Sequence, residues 1–133
     1  MRYAKDTKEY IVPVIKASDS MSAVILPIEV TSLLGEKAIA CAGADYTIRL
    51  FTEKQWGGFI DKLRGRPFEE IKLFRLFFSF STEVFFEHTP QGERIYLPAK
   101  LLDYAKIACD EQTEAKLFFN EDTWYITALE QFL

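Results

Sequence analysis

Short runs of apolar residues, each bounded by turn-forming residues, recur along the whole chain and predict β-strands. Val, Ile, Phe, Tyr and Thr dominate these runs, as is typical of side chains that pack on a pleated sheet. The predicted strands are residues 10–17, 24–26, 38–42, 46–51, 83–87, 94–97, 116–119 and 124–127. Pro13 predicts a sheet edge or a bulge in the first strand, because proline cannot donate a ladder hydrogen bond.

Apolar residues spaced three and four positions apart predict helices between these strands. The predicted helices are residues 27–34, 53–64, 68–80 and 99–105, with a terminal helix that starts at Ala128. Pro27 and Pro98 suit the first turn of a helix, since a fixed φ and a missing N–H are tolerated there. Thr52 is expected to cap helix 53–64. Residues 88–93 are expected to form a turn before strand 94–97.

The predicted elements follow the same order in both halves of the chain, which indicates an internal repeat. Pro27 and Pro98 lie 71 positions apart, and Gln55-Trp56 and Gln131-Phe132 lie 76 positions apart. We therefore assign residues 1–66 to a first repeat with its following helix. Residues 67–133 are assigned to a linker helix and a second repeat. The expected fold class is α+β, with two β-rich units packed about a pseudo-twofold axis.

The composition limits where the aromatic rings can lie and what the chain can bind. Twelve Phe, six Tyr and two Trp are many for 133 residues, so some rings are expected to face a partner subunit. The net charge is −4, with +2 in residues 1–66 and −6 in residues 67–133. Any surface that binds nucleic acid must therefore be local.

The sequence offers no site for metal chemistry or nucleophilic catalysis. Cys41 and Cys109 lack a neighbouring Cys or His at metal-ligand spacing, so we expect no metal, no other cofactor and a reduced cytosolic compartment. His88 is the only histidine and is predicted to lie in a turn, so the chain is not expected to be an enzyme. No apolar run approaches the length of a membrane span, and a soluble protein is expected.

The two prolines lie in related segments, which read DSMSAVILP in the first repeat and GERIYLPAKLLDYAKI in the second. These segments resemble the MraZ family of transcription regulators, which carry the motif D-x-x-G-R-x-x-I-P once per repeat. The second segment places Arg94 at the motif arginine and Pro98 at its proline, and the first places Asp19 at the motif aspartate and Pro27 at the proline. The segment KLRGRPFEEIKLFRLFFS is also similar to the family's linker between repeats.

This resemblance implies a swapped-hairpin β-barrel of the AbrB type, with helices between and after the two repeats. It also implies a cytoplasmic, nucleoid-associated regulator of the bacterial division and cell-wall gene cluster. Such a protein binds DNA at upstream promoter repeats through basic turns and assembles into a ring-shaped homo-oligomer. The resemblance implies no membrane partner.

Arg94, Lys100 and Gln91 are the candidate DNA-binding residues. Arg94 could bind a phosphate or form a bidentate pair with guanine. Lys100, one turn into its helix, could add a phosphate contact, and Gln91, at the tip of the turn, could reach a base edge. The alternatives are that Arg94 pairs with Glu93, Glu87 or another nearby acid, that Lys100 is solvated and that Gln91 is a plain turn residue.

A second basic region lies at the centre of the chain, where the residues are Lys62, Arg64, Arg66, Lys72 and Arg75. One interpretation is a further nucleic-acid surface. The other is a solvated helical face that Glu69 and Glu70 partly neutralise, and we favour it because charge runs are usually solvated.

The chain departs from the motif in both repeats, and these departures leave two functional hypotheses. Ser22-Ala23 replaces the Gly-Arg of the first copy, and Glu93 replaces the glycine of the second. The leading hypothesis is a transcription regulator that binds DNA weakly through its remaining basic turn in an oligomeric ring. The alternative is a degenerate interaction or oligomerisation module without DNA binding, which could co-assemble with an intact paralogue of the same family.

Overall fold

The computed structural model describes residues 9–67, 69–70 and 81–129. These residues form nine β-strands, three α-helices and a turn of 3-10 helix at Ala44–Tyr46. The strands are β1 (Glu9–Lys16), β2 (Met21–Leu26), β3 (Lys37–Ala42), β4 (Ile48–Thr52), β5 (Thr82–Phe85), β6 (Glu87–Thr89), β7 (Gly92–Pro98), β8 (Gln112–Asn120) and β9 (Thr123–Ala128). The helices are α1 (Ile28–Leu34), α2 (Glu53–Arg64) and α3 (Ala99–Tyr104).

The strands join into one antiparallel sheet in the order β5-β3-β4-β9-β8-β1-β2-β7-β6. Its two edge strands, β5 and β6, are separated along the chain only by Phe86, so the sheet curls into a nearly closed barrel. Hairpins β3–β4 and β1–β2 alternate around the barrel with hairpins β8–β9 and β6–β7. The predicted α+β class and tandem-repeat, swapped-hairpin barrel are confirmed.

Strands β1, β7 and β8 bury alternate side chains, because successive residues of a strand point to opposite faces of the sheet. Strands β2 and β3 bury residues on both faces. Strand β1 buries Val12 and Val14, while Ile11, on the opposite face of the strand, is 56% exposed. The core draws on both halves of the chain, with its largest fully buried side chains being Leu26, Ile48, Leu50, Ile95, Leu97, Leu101, Leu117 and Ile126. The two repeats therefore share one core, and the boundary between them at residues 66 and 67 stays a prediction.

Helix α2 covers part of the outer face of the barrel. Trp56 and Phe59 of this helix pack on Phe51 of β4, with ring centroids 5.3 and 5.6 Å from it. The predicted cap is confirmed: the Gln55 backbone N–H donates to the Thr52 hydroxyl, and the Thr52 N–H donates to the Gln55 side chain. This reciprocal capping fixes where α2 starts.

The two repeats adopt matching backbone conformations at their shared motif. Pro27 has φ −61° and ψ 144°, and Pro98 has φ −63° and ψ 145°. Both values are extended, so each proline is the residue before its helix rather than the first helical residue. Helix 27–34 of the prediction therefore begins one residue later, at Ile28.

Two predictions of local structure are wrong. Residues 88–93 are not a long turn, because β6 continues to Thr89 and β7 begins at Gly92. Ala128 ends strand β9 rather than starting a helix, since it pairs with Ala115 of β8. The predicted helix 68–80 lies largely outside the described residues, although Glu69 and Glu70 are helical, and so do residues 130–133 of the predicted terminal helix.

Candidate nucleic-acid interface

The β6–β7 hairpin carries two of the three residues predicted to contact DNA. Its strands pair in the register Glu87 with Arg94, His88 with Glu93 and Thr89 with Gly92, which leaves only Pro90 and Gln91 in the turn. Gly92 allows this tight reversal because its φ is +142°, a value that side chains disfavour. A Cβ added at Gly92 would also lie 2.7 Å from the carbonyl oxygen of Leu26, so the hairpin lies tightly against the end of β2.

Arg94 lies on the outer face of β7 and not at the tip of the turn. Its guanidinium donates to the Tyr96 hydroxyl at 3.4 Å and lies 4.0 Å from the Glu87 carboxylate. Tyr96 in turn donates to Glu87 at 3.0 Å. The hydrogen bond to Tyr96 raises the pKa of Arg94, and the charge of Glu87 adds to this effect. The pairing with Glu87 that the sequence offered as an alternative is therefore present.

The opposite face of the hairpin holds a second polar pair. Nδ1 of His88 lies 2.6 Å from a carboxylate oxygen of Glu93. The His88 side chain is 75% exposed, whereas that of Glu93 is only 17% exposed. Glu93 is thus engaged with His88 on a different face from Arg94, and it does not compete with Glu87 for the arginine.

Gln91 and Lys100 lie at opposite ends of β7. Gln91 is exposed at the turn that precedes the strand, next to the start of α1, and Lys100 is exposed in the first turn of α3 after it. Seven strand residues separate these ends by about 23 Å. The backbone N–H of Ala99 donates to the Ser20 carbonyl at 2.8 Å, which places Lys100 beside the loop between β1 and β2. The structure therefore does not bring the three predicted residues together.

The β1–β2 loop corresponds to the β6–β7 turn in the other repeat, but its charge differs. At the repeat offset of 71 positions, Arg94 corresponds to Ala23 and Lys100 to Glu29. Asp19 lies 3.6 Å from Lys16, and it borders a shallow depression together with Asp110 and Glu111. The β1–β2 loop therefore lacks the motif arginine, and the acidic side chains around it disfavour a phosphate there.

A serine hydroxyl accepts hydrogen bonds from the backbone of the β1–β2 loop. The backbone N–H groups of Ser20 and Met21 donate to the Ser18 hydroxyl oxygen at 3.3 and 3.2 Å. The Asp19 carboxylate forms its ion pair with Lys16 across the same loop. A serine hydroxyl is a common local acceptor for backbone N–H groups in such turns.

The central basic region behaves as a solvated helical face where the structure describes it. Arg64 lies 3.4 Å from Asp61, and Arg66 lies 3.2 Å from Glu70, both pairs one helical turn apart. Lys72 and Arg75 lie outside the described residues. The interpretation that nearby acids partly neutralise this region is supported for Arg66.

The sequence did not identify Tyr96 as part of the candidate interface. Tyr96 was assigned only to the strand, yet its hydroxyl connects Arg94 to Glu87. The signal was available in principle: a two-residue turn at Pro90 and Gln91 sets residues 87 and 94 opposite each other, and residue 96 follows on the same face. The turn length was missed, and with it this register.

The part of the chain that the structure describes contains no cluster of three or more His, Cys, Asp or Glu side chains suited to a metal ion. Over the same residues, no helix is long and apolar enough to cross a membrane. Burial raises the pKa of the Cys41 thiol to about 11, an effect that the charge of Arg49 partly offsets. A thiol with so high a pKa is a poor nucleophile near neutral pH.

Comparison with known proteins gives a consistent result. The chain is 35% identical over 92 residues to a protein of Carboxydothermus hydrogenoformans, 38% identical over 95 residues to one of Desulfitobacterium hafniense and 39% identical over 97 residues to one of Symbiobacterium thermophilum. Each of the three is named transcriptional regulator MraZ, and none is named as an enzyme. No family model matches the chain.

The matched regions cover much of this chain but less of the relatives. They span 67%, 69% and 71% of this chain in the same order. They span 62% and 64% of the first two relatives, which is less than two thirds of their length, and 68% of the third. The match to the third relative is long and similar enough to establish the family of the chain.

Proposed function

This chain belongs to the MraZ family, and we propose that it is a DNA-binding transcriptional regulator that meets the duplex through its β6–β7 hairpin. The regulatory role is supported by the names of its relatives. The observation that carries the proposal is the position of Arg94. It is the motif arginine, it is partly exposed on the outer face of the hairpin, and Gly92 fixes the hairpin to the barrel.

We assign the DNA contacts to Arg94 and Gln91 at one end of β7 and to Lys100 at the other. Arg94 binds a phosphate or a guanine edge, and Gln91, exposed at the turn, reaches a base edge. Lys100 adds a phosphate contact from the start of α3. Because the counterpart of Lys100 in the first repeat is Glu29 and that of Arg94 is Ala23, each subunit presents few cationic contacts, and single-site binding is weak.

Several weak contacts become strong binding when they are joined in one assembly. We propose that copies of this chain form a ring, so that each bound hairpin raises the effective concentration of the next. Repeated sites upstream of a promoter would match such a ring. A regulator of this kind would act in the cytoplasm, where it would be associated with the nucleoid.

A specific observation favours a second candidate function. Arg94 is paired with Glu87 and Tyr96, and the corresponding loop of the first repeat carries Asp19 without the motif arginine. A subunit with these features could keep the fold and the assembly surface but lose DNA binding. It would then act as an interaction module that joins a ring of an intact paralogue and dilutes its DNA contacts.

The two candidates differ in a direct binding experiment. Electrophoretic mobility shift with a duplex from the gene's own upstream region, and with a scrambled duplex of equal length, is performed at low and moderate salt. The regulator binds the upstream duplex more tightly and loses affinity as salt increases. Assembly into rings without a shift at low salt supports the interaction module and contradicts the regulator.

A further inference from the structure

Glu87, Arg94 and Tyr96 form a connected polar group on the outer face of the β6–β7 hairpin. We propose that Glu87 and Tyr96 hold Arg94 against β6 and compete with DNA phosphate for it, so that they set the affinity of the hairpin. This inference rests on the proposed function and concerns the same surface. It makes Glu87 and Tyr96 positioning residues, since they act on DNA through Arg94.

The sheet register places the three side chains together. Glu87 and Arg94 are directly opposite each other in the β6–β7 pair. Tyr96 lies two residues further along β7, and side chains two apart in a strand share one face. The contacts follow from this placement: 4.0 Å from Arg94 to Glu87, 3.4 Å from Arg94 to the Tyr96 hydroxyl and 3.0 Å from that hydroxyl to Glu87.

The geometry of these contacts makes Arg94 releasable. The separation between Glu87 and Arg94 is long for an ion pair, and the Glu87 side chain is 58% exposed, so water and salt screen the attraction. The Nε atom of Arg94 is buried and has no hydrogen-bond acceptor among the described residues. A buried donor without an acceptor is unfavourable, which disfavours the held position further.

A phosphate offers Arg94 what the held position lacks. Two phosphate oxygens accept paired N–H bonds from one guanidinium, and such charge-assisted bonds are among the strongest in proteins. The other side of β7 does not retain the arginine, because Arg94 is opposite the apolar residue Ile25 of β2 there. Rotation of Arg94 away from Glu87 and Tyr96 therefore exchanges one screened ion pair and one long hydrogen bond for a bidentate contact.

The test is fluorescence anisotropy with a fluorescein-labelled duplex from the gene's upstream region and with a scrambled duplex. The variants are Glu87→Gln, Tyr96→Phe, Arg94→Ala and the double variant Glu87→Gln/Arg94→Ala. Glu114→Gln is the matched control, because it removes the same charge from an exposed residue on β8. Circular dichroism checks that each variant is folded.

We expect Glu87→Gln to tighten binding to both duplexes by roughly two- to fivefold, and Tyr96→Phe to tighten it less. The gain must vanish when Arg94 is also replaced, since Glu87 is inferred to act only through that residue. An equal gain from Glu114→Gln, or a gain that persists without Arg94, overturns the inference and leaves a general charge effect.

The outcomes also separate this inference from the proposed function. If wild type binds and Glu87→Gln leaves its affinity unchanged, the inference fails and the regulator remains. If wild type does not bind but Glu87→Gln does, the inference holds and this subunit is not itself a regulator in its native form. If neither binds at low salt, both are overturned.

Discussion

Val24 of β2 and Ile95 of β7 lie directly opposite each other in the sheet, and they occupy the same position in the two repeats. Their register is a cross-strand pair, and their separation of 71 positions is the offset between Pro27 and Pro98. Both side chains are fully buried. A pseudo-twofold axis therefore passes between them, through the centre of the shared core.

On the other side of the barrel, the same axis passes between a second pair of equivalent residues. Arg49 of β4 is opposite Tyr125 of β9, and these residues are 76 positions apart, the offset that the later elements of the repeat share. The guanidinium of Arg49 lies 5.6 Å from the centroid of the Tyr125 ring. The axis thus joins an apolar pair on one side of the barrel to a cation–π pair on the other.

Shortening a side chain that lies on the axis should destabilise the whole protein, because both repeats pack against the same core. Ile95→Ala removes a fully buried side chain from a core that has no solvent access, so we expect a loss of about 2 to 5 kcal/mol in the free energy of unfolding. Urea denaturation with tryptophan fluorescence measures this loss. Ile28→Ala, at a side chain that is 58% exposed, is the matched control and should change stability by less than about 0.5 kcal/mol. Equal effects at the two positions would contradict the burial of Ile95 in the shared core.

Glycine is required at one position of the hairpin and not in the helix that covers β3–β4. Gly92→Ala places a Cβ 2.7 Å from the Leu26 carbonyl oxygen at a φ of +142°, so we expect a loss of more than about 1 kcal/mol in the free energy of unfolding. Gly57→Ala in α2 meets no atom within 4 Å and should stabilise by about 0.5 to 1 kcal/mol. Thermal unfolding of both variants tests this contrast. A stable Gly92→Ala protein would show that the hairpin is not bound tightly to β2.

The two thiols should differ in reactivity. Burial raises the pKa of Cys41 to about 11, whereas Cys109 is partly exposed, so a disulfide reagent at mildly alkaline pH should modify Cys109 first. Mass spectrometry of the native protein after brief treatment identifies the modified residue. Modification of Cys41 at the rate of Cys109 would contradict its burial beneath α2.

The same shift predicts how stability depends on pH. The pKa of the Cys41 thiol has its ordinary value of 9.0 in the unfolded chain, and burial raises that pKa to about 11 in the folded protein. Its contribution to stability is therefore complete below pH 9 and is lost as the pH rises towards 11. Denaturation curves should show that Cys41→Ala is less sensitive than wild type to pH in this window. If the free energy of unfolding declined equally with pH in wild type and in Cys41→Ala, Cys41 would be excluded as the cause.

Sequence patterns predicted much of the barrel because its strands are short apolar runs bounded by turn-forming residues, and some, such as β1, also alternate strongly. Val12, Val14 and Ile126 occupy periodic positions, and the offset between the prolines identified the repeat before any contact was known. Strand ends were harder. Thr89 and Gly92 were assigned to a turn because turn-forming residues cluster there, yet Thr89 donates to the Gly92 carbonyl at 2.7 Å and extends the hairpin. The backbone at Gly92 also packs closely against the Leu26 carbonyl. Local residue preferences carry no information about such a contact between distant parts of the chain.

The sequence identified individual residues of the candidate site, but it did not predict how they are placed relative to one another. The motif identified Arg94, and its alternative partners included Glu87, which is the residue it meets. The distance between Gln91 and Lys100 could not be predicted, because it depends on the length and direction of β7 in the folded sheet. Tyr96 was missed because its contacts depend on the register of the β6–β7 hairpin. The turn was predicted to be too long, so this register was not found.

The central claim is that the β6–β7 hairpin binds DNA through Arg94, and the salt dependence of binding tests it most directly. Anisotropy titrations of wild type and Arg94→Ala with the upstream duplex, each over a range of salt concentrations, give the slope of log affinity against log salt. We predict that Arg94→Ala weakens binding at low salt and lowers the slope by about 0.9 for each bound subunit that loses a phosphate contact. Identical slopes and affinities for the two proteins would show that DNA, if bound, is held elsewhere.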